Sequence, residues 1–210
     1  MARLGMVFDL FRCIGCHACT IACKAHNGTP PGIFWAKVLE KEVGKYPTAK
    51  RIFLPVACNH CKEPPCRDVC PTGATEKRED GVVTIDPDKC IGCRACMAAC
   101  PYDARYYLKK ITPYYPISEQ NPAPGFTPFE EWVYKTKPWH QEGTVQKCTL
   151  CSDRQEEGKE PACVETCPTT ARYYGDFDDP MSEVSKLVVQ RRGFQLREEE
   201  GTDPTIFYID

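Results

Sequence analysis

The chain has 210 residues, 16 cysteines and a formal net charge of −2. A near-neutral balance excludes a generic polyanion binder, which carries a basic excess. The longest unbroken apolar run, Ala95–Cys100, is far short of the ~18 residues of a membrane span, and the 19 prolines and 14 glycines argue against long helices and a large core.

The opening Met-Ala-Arg-Leu-Gly-Met has no basic segment ahead of an apolar core, so no signal peptide is expected. Met6–Leu10 reads as a strand that feeds the first cysteine group, Cys13, Cys16, Cys19 and Cys23, spaced C-x2-C-x2-C-x3-C. The second group is Cys58, Cys61, Cys66 and Cys70, spaced C-x2-C-x4-C-x3-C. Val82–Ile85 is a β-branched strand candidate ahead of the third group, Cys90, Cys93, Cys96 and Cys100, which repeats the spacing of the first. The fourth is Cys148, Cys151, Cys163 and Cys167, spaced C-x2-C-x11-C-x3-C. Groups two to four end in Cys-Pro, at Pro71, Pro101 and Pro168, whereas Lys24 follows Cys23. After the Cys-Pro steps come Thr-Gly-Ala-Thr (72–75), Tyr-Asp-Ala-Arg-Tyr-Tyr (102–107) and Thr-Thr-Ala-Arg-Tyr-Tyr (169–174). The repeated unit reads as strand, cysteine loop, short helix, then a turn into a strand.

Disulfides are disfavoured, because nothing marks a secretory context and thiols in a reducing compartment stay free. Structural zinc uses C-x2-C pairs from separated knuckles, and does not require a third cysteine in the same run or a Cys-Pro ending. The run C-x2-C-x2-C-x3-C-P is that of two-cluster bacterial ferredoxins, whose fourth cysteine ligates the other cluster. Sixteen thiolates close four 4Fe-4S clusters with none left over. Closed coordination favours electron transfer over substrate chemistry at iron. Gly15 and Gly92, in matching Ile-Gly-Cys steps, suit a loop with unusual dihedrals and close backbone approach. The fourth cysteine lies one helical turn beyond the third, and proline ends that element. Basic residues border each group: Arg12 and Lys24, Lys62 and Arg67, Lys89 and Arg94, Lys147 and Arg154. As a set they are expected to offset the anionic clusters and tune their potentials.

The expected fold is α+β: two ferredoxin-like two-cluster modules, one inserted in the other. Groups two and three make the inserted module, 53–110. If groups exchange fourth cysteines as ferredoxins do, groups one and four form the outer module from 1–52 plus 140–210. The intervening 111–139 holds six prolines and seven aromatics: Tyr114, Tyr115, Phe126, Phe129, Trp132, Tyr134 and Trp139. It reads as a proline-stiffened loop for a partner surface, or one packed on its own domain. After Pro180, Ser182 is a helix cap with Val184, Leu187 and Val188 on one side, and the chain closes on a strand-like Ile-Phe-Tyr-Ile. His17, His26, His60 and His140 are not needed as ligands; His17 and His60 lie inside the cysteine loops. No catalytic triad, phosphate loop or dinucleotide fingerprint is present, so no catalytic residue is assigned.

The whole chain resembles the four-cluster electron-transfer subunit of molybdopterin oxidoreductases of the dimethyl-sulfoxide-reductase family. The matching segments are Cys-Asn-His-Cys (58–61), Pro-Pro-Cys (64–66), Cys-Pro-Thr-Gly-Ala (70–74), Lys-Cys-Thr-Leu-Cys (147–151) and Pro-Ala-Cys-Val-Glu-Thr-Cys-Pro (161–168). Within that family it is most similar to the small subunits of respiratory arsenate reductases and of polysulfide or thiosulfate reductases. The resemblance implies four ligand sets: A, of Cys13, Cys16, Cys19 and Cys167; B, of Cys148, Cys151, Cys163 and Cys23; C, of Cys58, Cys61, Cys66 and Cys100; and D, of Cys90, Cys93, Cys96 and Cys70. It also implies a large catalytic partner holding a molybdenum or tungsten pterin, often with a membrane quinol-linked subunit or a cytochrome. Where such complexes are exported, the partner carries a twin-arginine signal, so the compartment, cytoplasmic or periplasmic, follows the partner. A free soluble polyferredoxin is the main alternative, and a zinc-stabilised structural protein a remote one.

Overall fold

The computed structural model describes residues 2–114, 125–137 and 139–210. In chain order its strands are β1 (Leu4–Asp9), β2 (Ala36–Val43), β3 (Lys50–Ala57), β4 (Thr75–Lys77), β5 (Val83–Ile85), β6 (Tyr106–Leu108), β7 (Thr144–Gln146), β8 (Arg172–Asp176) and β9 (Ile206–Ile209). Its α-helices are α1 (Ala18–Asn27), α2 (Pro65–Asp68), α3 (Ala95–Ala98), α4 (Pro128–Thr136), α5 (Ser152–Glu156), α6 (Ala162–Glu165) and α7 (Glu183–Gln190). The mixture is α+β, and among the described residues no helix is long and apolar enough to cross a membrane.

Three strands form one sheet in the order β8-β1-β9, with β1 antiparallel to β8 and parallel to β9. The other strands pair in twos, β2-β3, β4-β5 and β6-β7, all antiparallel. The apolar side chains of β1 fill both faces of the sheet. Met6 and Phe8 pack with Ile206, Tyr208 and the cysteines Cys19 and Cys163, while Val7 packs with Ile209 and Val184 of α7. Phe8 meets Tyr208 edge-on with ring centroids 5.5 Å apart. The Tyr208 hydroxyl donates to the Pro55 carbonyl at 2.9 Å, which ties the sheet to the β2-β3 hairpin and satisfies its buried polar end. Each such large apolar side chain contributes about 1.5–3 kcal/mol by burial. Every core cluster but that around Val7 includes thiols, so the sulfur sites and the apolar core are one structure.

The repeated unit folds alike in groups two, three and four. A four-residue helix carries the third cysteine, and the fourth follows the helix end. Cys70, Cys100 and Cys167 each donate a backbone N–H three residues back, to Arg67, Met97 and Val164. The expected α-helical turn is thus tightened into a 3₁₀-type closure, and the fourth cysteine lies outside the helix. The carbonyl of each of these cysteines then accepts from the backbone N–H three residues on, from Gly73, Asp103 and Thr170. Proline occupies the second position of that turn, where its fixed φ fits. All three units run into the expected strands, β4, β6 and β8.

The tail follows the sequence reading: the Ser182 hydroxyl accepts from the Ser185 backbone N–H and caps α7. Two elements were not anticipated. The β2-β3 hairpin covers the first cysteine loop, and α4 lies inside the segment read as a loop. Thr127 and Glu130 cap α4 reciprocally, with Pro128 in its first turn. That pattern favours a helix start despite the surrounding prolines. Tyr115 lies outside the described residues.

Candidate metal-cluster sites

The cysteine loops depend on left-handed backbone at matched places. Gly15 and Gly92 have φ of +68° and +66°, and His17 and Arg94 take left-handed geometry just before α1 and α3. A Cβ on Gly92 would sit 1.9 Å from the Gly143 carbonyl oxygen, and one on Gly15 2.2 Å from the Phe53 ring. Group four has no such glycine; Leu150 and Cys151 adopt positive φ instead.

No two of the sixteen cysteines are joined in a disulfide. One cavity is lined by Cys13, Cys16, Cys19 and Cys167, with Arg172 in its wall. A second is lined by Cys23, Cys148, Cys151 and Cys163, and also by Cys58. A third is lined by Cys70, Cys90, Cys93 and Cys96. Cys58, Cys66 and Cys100 lie close enough to Cys61 to act on its thiol, which burial first, and then these neighbours, push up to about 12. Among the described residues no three His, Cys, Asp or Glu side chains converge on the position of a single metal ion; the thiols ring spaces instead. A cluster of four irons, bound at its corners, suits such a ring, and the donor chemistry is all thiol.

The protein supplies charge and hydrogen bonds to these rings. Burial, with the neighbouring thiols, pushes Cys23 well up, and burial pushes Cys151 to about 11. Metal binding to such thiols releases their protons. Cys70 differs: burial raises it, but N–H groups of Thr75, Thr72 and Ala74 and the Thr72 hydroxyl outweigh this and bring it down. Backbone N–H groups also reach sulfur from Leu150 to Cys148 at 3.4 Å and from Ala171 to Cys167 at 3.2 Å. The buried Asn27 side-chain amide points at Cys23 Sγ (3.5 Å) and Cys151 Sγ (4.0 Å). The Asn27 backbone carbonyl accepts from His140 Nε2 at 2.6 Å and from Trp139 at 3.3 Å. Gln146 donates to the other His140 ring nitrogen, so the ring is neutral, and burial first lowers its pKa to about 4.

The bordering cations are mostly engaged elsewhere. Arg12 pairs with Asp9, Lys62 with Asp203, Lys89 with Glu76 and Asp86, and Arg154 with Glu165. Arg67 is exposed, and Arg94 lies over the Tyr107 ring at 3.8 Å. Lys24 donates to the Ile33 carbonyl at 2.7 Å and caps the turn after α1. Only Lys147 of that set is buried, its Nζ on the Cys148 carbonyl at 2.7 Å. The deeply buried guanidiniums are Arg105 and Arg172, which the sequence reading did not single out. Their signal was the repeated Ala-Arg-Tyr-Tyr. Arg105 Nη2 donates to Cys66 Sγ at 2.8 Å, and Arg172 lies beside Cys163 and Cys19 with its terminal nitrogens otherwise unpartnered. Buried cations that lack carboxylate partners fit a site built for a polyanionic cluster.

The four histidines have partners other than thiols. His17 pairs with Glu40 at 2.7 Å and His26 with Asp153 at 2.9 Å. His60 is buried, accepts from the Val83 N–H at 3.1 Å, and is held neutral by burial and then by Lys147 and Arg105. A separate cavity of about 290 Å³ between α1 and α4, lined by Ile21, Tyr114, Phe129 and Val133 among others, contains no thiol.

Residues 49–114 and 128–177 match the family described as 4Fe-4S dicluster domain, and residues 10–28 match a 4Fe-4S binding domain. The chain is 43% identical to the iron-sulfur subunit of the putative dimethyl sulfoxide reductase of Halobacterium salinarum, over 100% of this chain and 80% of that one. It is 43% identical to a subunit of the selenate reductase of Mesobacillus selenatarsenatis, over 97% and 70% of the two chains. It is 38% identical to the arsenate respiratory reductase iron-sulfur subunit of a Shewanella species, over 99% and 96%.

Proposed function

We infer the role of this chain from a plain premise: it belongs to the 4Fe-4S dicluster family, among the iron–sulfur subunits of respiratory oxidoreductases. It is an electron-transfer subunit that carries four 4Fe-4S clusters on its sixteen cysteines. When bound, each cluster supplies a one-electron couple, and the protein supplies position, insulation and charge.

The ligand sets are A to D as the resemblance implies, in two modules nested by exchange of the fourth cysteine. The three thiol-lined cavities and the mutual influence of Cys58, Cys61, Cys66 and Cys100 support this reading. The carrying observation is that Cys167 lines the cavity of Cys13, Cys16 and Cys19, while Cys23 lines that of Cys148, Cys151 and Cys163. Cations placed between sets support the order A-B-C-D. Arg172 faces Cys19 and Cys163, Lys147 faces Cys148 and Cys66, and Arg105 faces Cys66 and Cys96. Cys16 and Cys93, one in each terminal set, are exposed, flanked by exposed Ile14 and Ile91. Electrons enter and leave at these two ends.

By itself the chain is non-catalytic. Its partner is a large catalytic subunit with a molybdenum or tungsten pterin, and a quinol-linked membrane subunit or a cytochrome serves the other end. The substrate class is that of the relatives: oxyanions of arsenic, selenium or sulfur, or a sulfoxide. Exposed Phe129 and Trp132 on α4 supply aromatic anchors for docking.

Anaerobic purification from the native source tests the reading. The expected result is about 16 irons per chain and a stoichiometric large subunit containing molybdenum or tungsten. Zinc in place of iron overturns it, and an iron-loaded chain without a partner leaves a free polyferredoxin. Cys23→Ser is expected to remove the cluster of Cys148, Cys151 and Cys163. Loss of the Cys13, Cys16 and Cys19 cluster alone refutes the crossed sets.

A further inference from the structure

Two arginines occupy matching positions in the repeated segments 104–107 and 171–174. Arg105 is 2% exposed and Arg172 3%. A guanidinium keeps its charge in proteins, so each is a fixed buried cation. Among the described residues neither forms a salt bridge with a carboxylate, which is costly unless another anion faces it.

The anions on offer are thiolates of two sets at once. Arg105 reaches Cys66 of set C with Nη2 at 2.8 Å. Its Nη1 donates to Thr75 Oγ1 at 3.1 Å, and Thr75 lines the cavity of set D. Arg172 lines the cavity of set A and faces Cys163 of set B, with its guanidinium carbon 4.3 Å above the Phe8 ring centroid. Thr75 and Arg105 are themselves at matching positions after Cys70-Pro71 and Cys100-Pro101. The contact between them therefore joins the two repeats of one module where its two sites meet.

We propose that each arginine is a counter-cation shared by two clusters, Arg172 by A and B and Arg105 by C and D, and that it holds up the reduction potentials of its pair together. An electron arriving at a thiolate-ligated cluster adds negative charge in a low-dielectric interior. A fixed cation beside two clusters favours the electron-bearing form of both without a proton having to follow. Arg172 at the start of β8 is closed in by β1, and Arg105 just before β6 by Thr75 of β4, which keeps both guanidiniums from reaching solvent.

The proposal rests on the crossed ligand sets. It is tested in the intact anaerobic complex by potentiometric titration with electron paramagnetic resonance, on Arg105→Met, Arg105→Lys, Arg172→Met and Arg172→Lys. Each Met variant is expected to lower two of four potentials, with at least a tenfold fall in reduced fraction at a fixed potential, about 59 mV for one electron. Arg105→Met moves one pair, Arg172→Met the other, and the Lys variants retain most of the native value. Four intact clusters with unmoved potentials, or an equal shift of all four, overturn the proposal. If a Met variant loses clusters, its Lys counterpart decides: loading restored by lysine supports the shared charge, and equal loss overturns it. Fewer than four clusters in the unaltered complex fails the ligand reading instead.

Discussion

The first and third cysteine groups have the same spacing and the same Ile-Gly-Cys loop, yet the chain leaves them differently. After Cys100, Pro101 sits at the second position of a tight turn, and α3 is four residues long. After Cys23, Lys24 lets the helix continue, and α1 runs to Asn27 before left-handed Gly28 ends it. The extra turn brings the Asn27 amide to Cys23 and Cys151. It also lets Lys24 cap the Thr29, Pro30 and Ile33 carbonyls. The ligand spacing thus sets how a cluster is gripped, whereas the residue after the last cysteine sets what else its helix does.

Substituting the shared glycines gives the largest effect. Gly92→Ala is expected to cost about 4 kcal/mol or more in urea unfolding of the anaerobic protein, because the new Cβ meets a backbone oxygen at positive φ. Gly15→Ala is expected to cost less, since Phe53 is a side chain that can turn aside. Equal losses would show that loop geometry, not the neighbour, dominates. Next, Lys24→Pro imposes the exit of the third group on the first. A proline inside α1 costs about 3 kcal/mol, whereas Pro101→Lys is expected to cost about 1 kcal/mol. The same urea midpoints decide whether the two exits are interchangeable.

The network beyond the longer exit predicts a pH dependence. His140, which holds the Asn27 carbonyl, has its pKa lowered by burial from 6.5 to about 4. Between these values the unfolded chain binds the additional proton, so stability present above pH 6.5 is lost as pH falls toward 4. His140→Gln is expected to remove up to about 3 kcal/mol of that acid loss. It is measured as the difference between the unfolding curves of the two proteins across pH 7 to 4, and parallel curves would mean the ring is not the source. The smallest of the glycine effects belongs to Gly73→Ala: its φ is +66° with open space around it, and the cost is roughly 1–2 kcal/mol of backbone strain.

Much of this was readable because metal ligation constrains sequence harshly. The four cysteine groups, the glycine turns at Gly15 and Gly92, the Ser182 cap and the final strand all follow from local chemistry. The α4 helix was obscured by six prolines in its segment, although Thr127-Pro128-Phe129-Glu130 carries a capping box. The β2 sequence Ala-Lys-Val-Leu-Glu-Lys-Glu-Val alternates poorly, since its outer half is exposed and packs on little. Asn27, Arg105 and Arg172 were missed because a polar residue's worth here comes from thiols distant in sequence. Spacing within a group says nothing of them.

The parallel pairing of β1 with β9 bears on the order of events during synthesis. Met6 lies beside Ile206 and Asp9 beside Ile209, so the strand leading into the first cysteine loop gains its last neighbour only when the far end of the polypeptide emerges. The β4-β5 pair forms long before, but the second cysteine loop also waits, because the Lys62 and Glu63 N–H groups donate to the Asp203 and Thr202 carbonyls. One late segment thus completes both the strand ahead of the first cysteine loop and the backbone around the second, and closing so long a loop is a slow step.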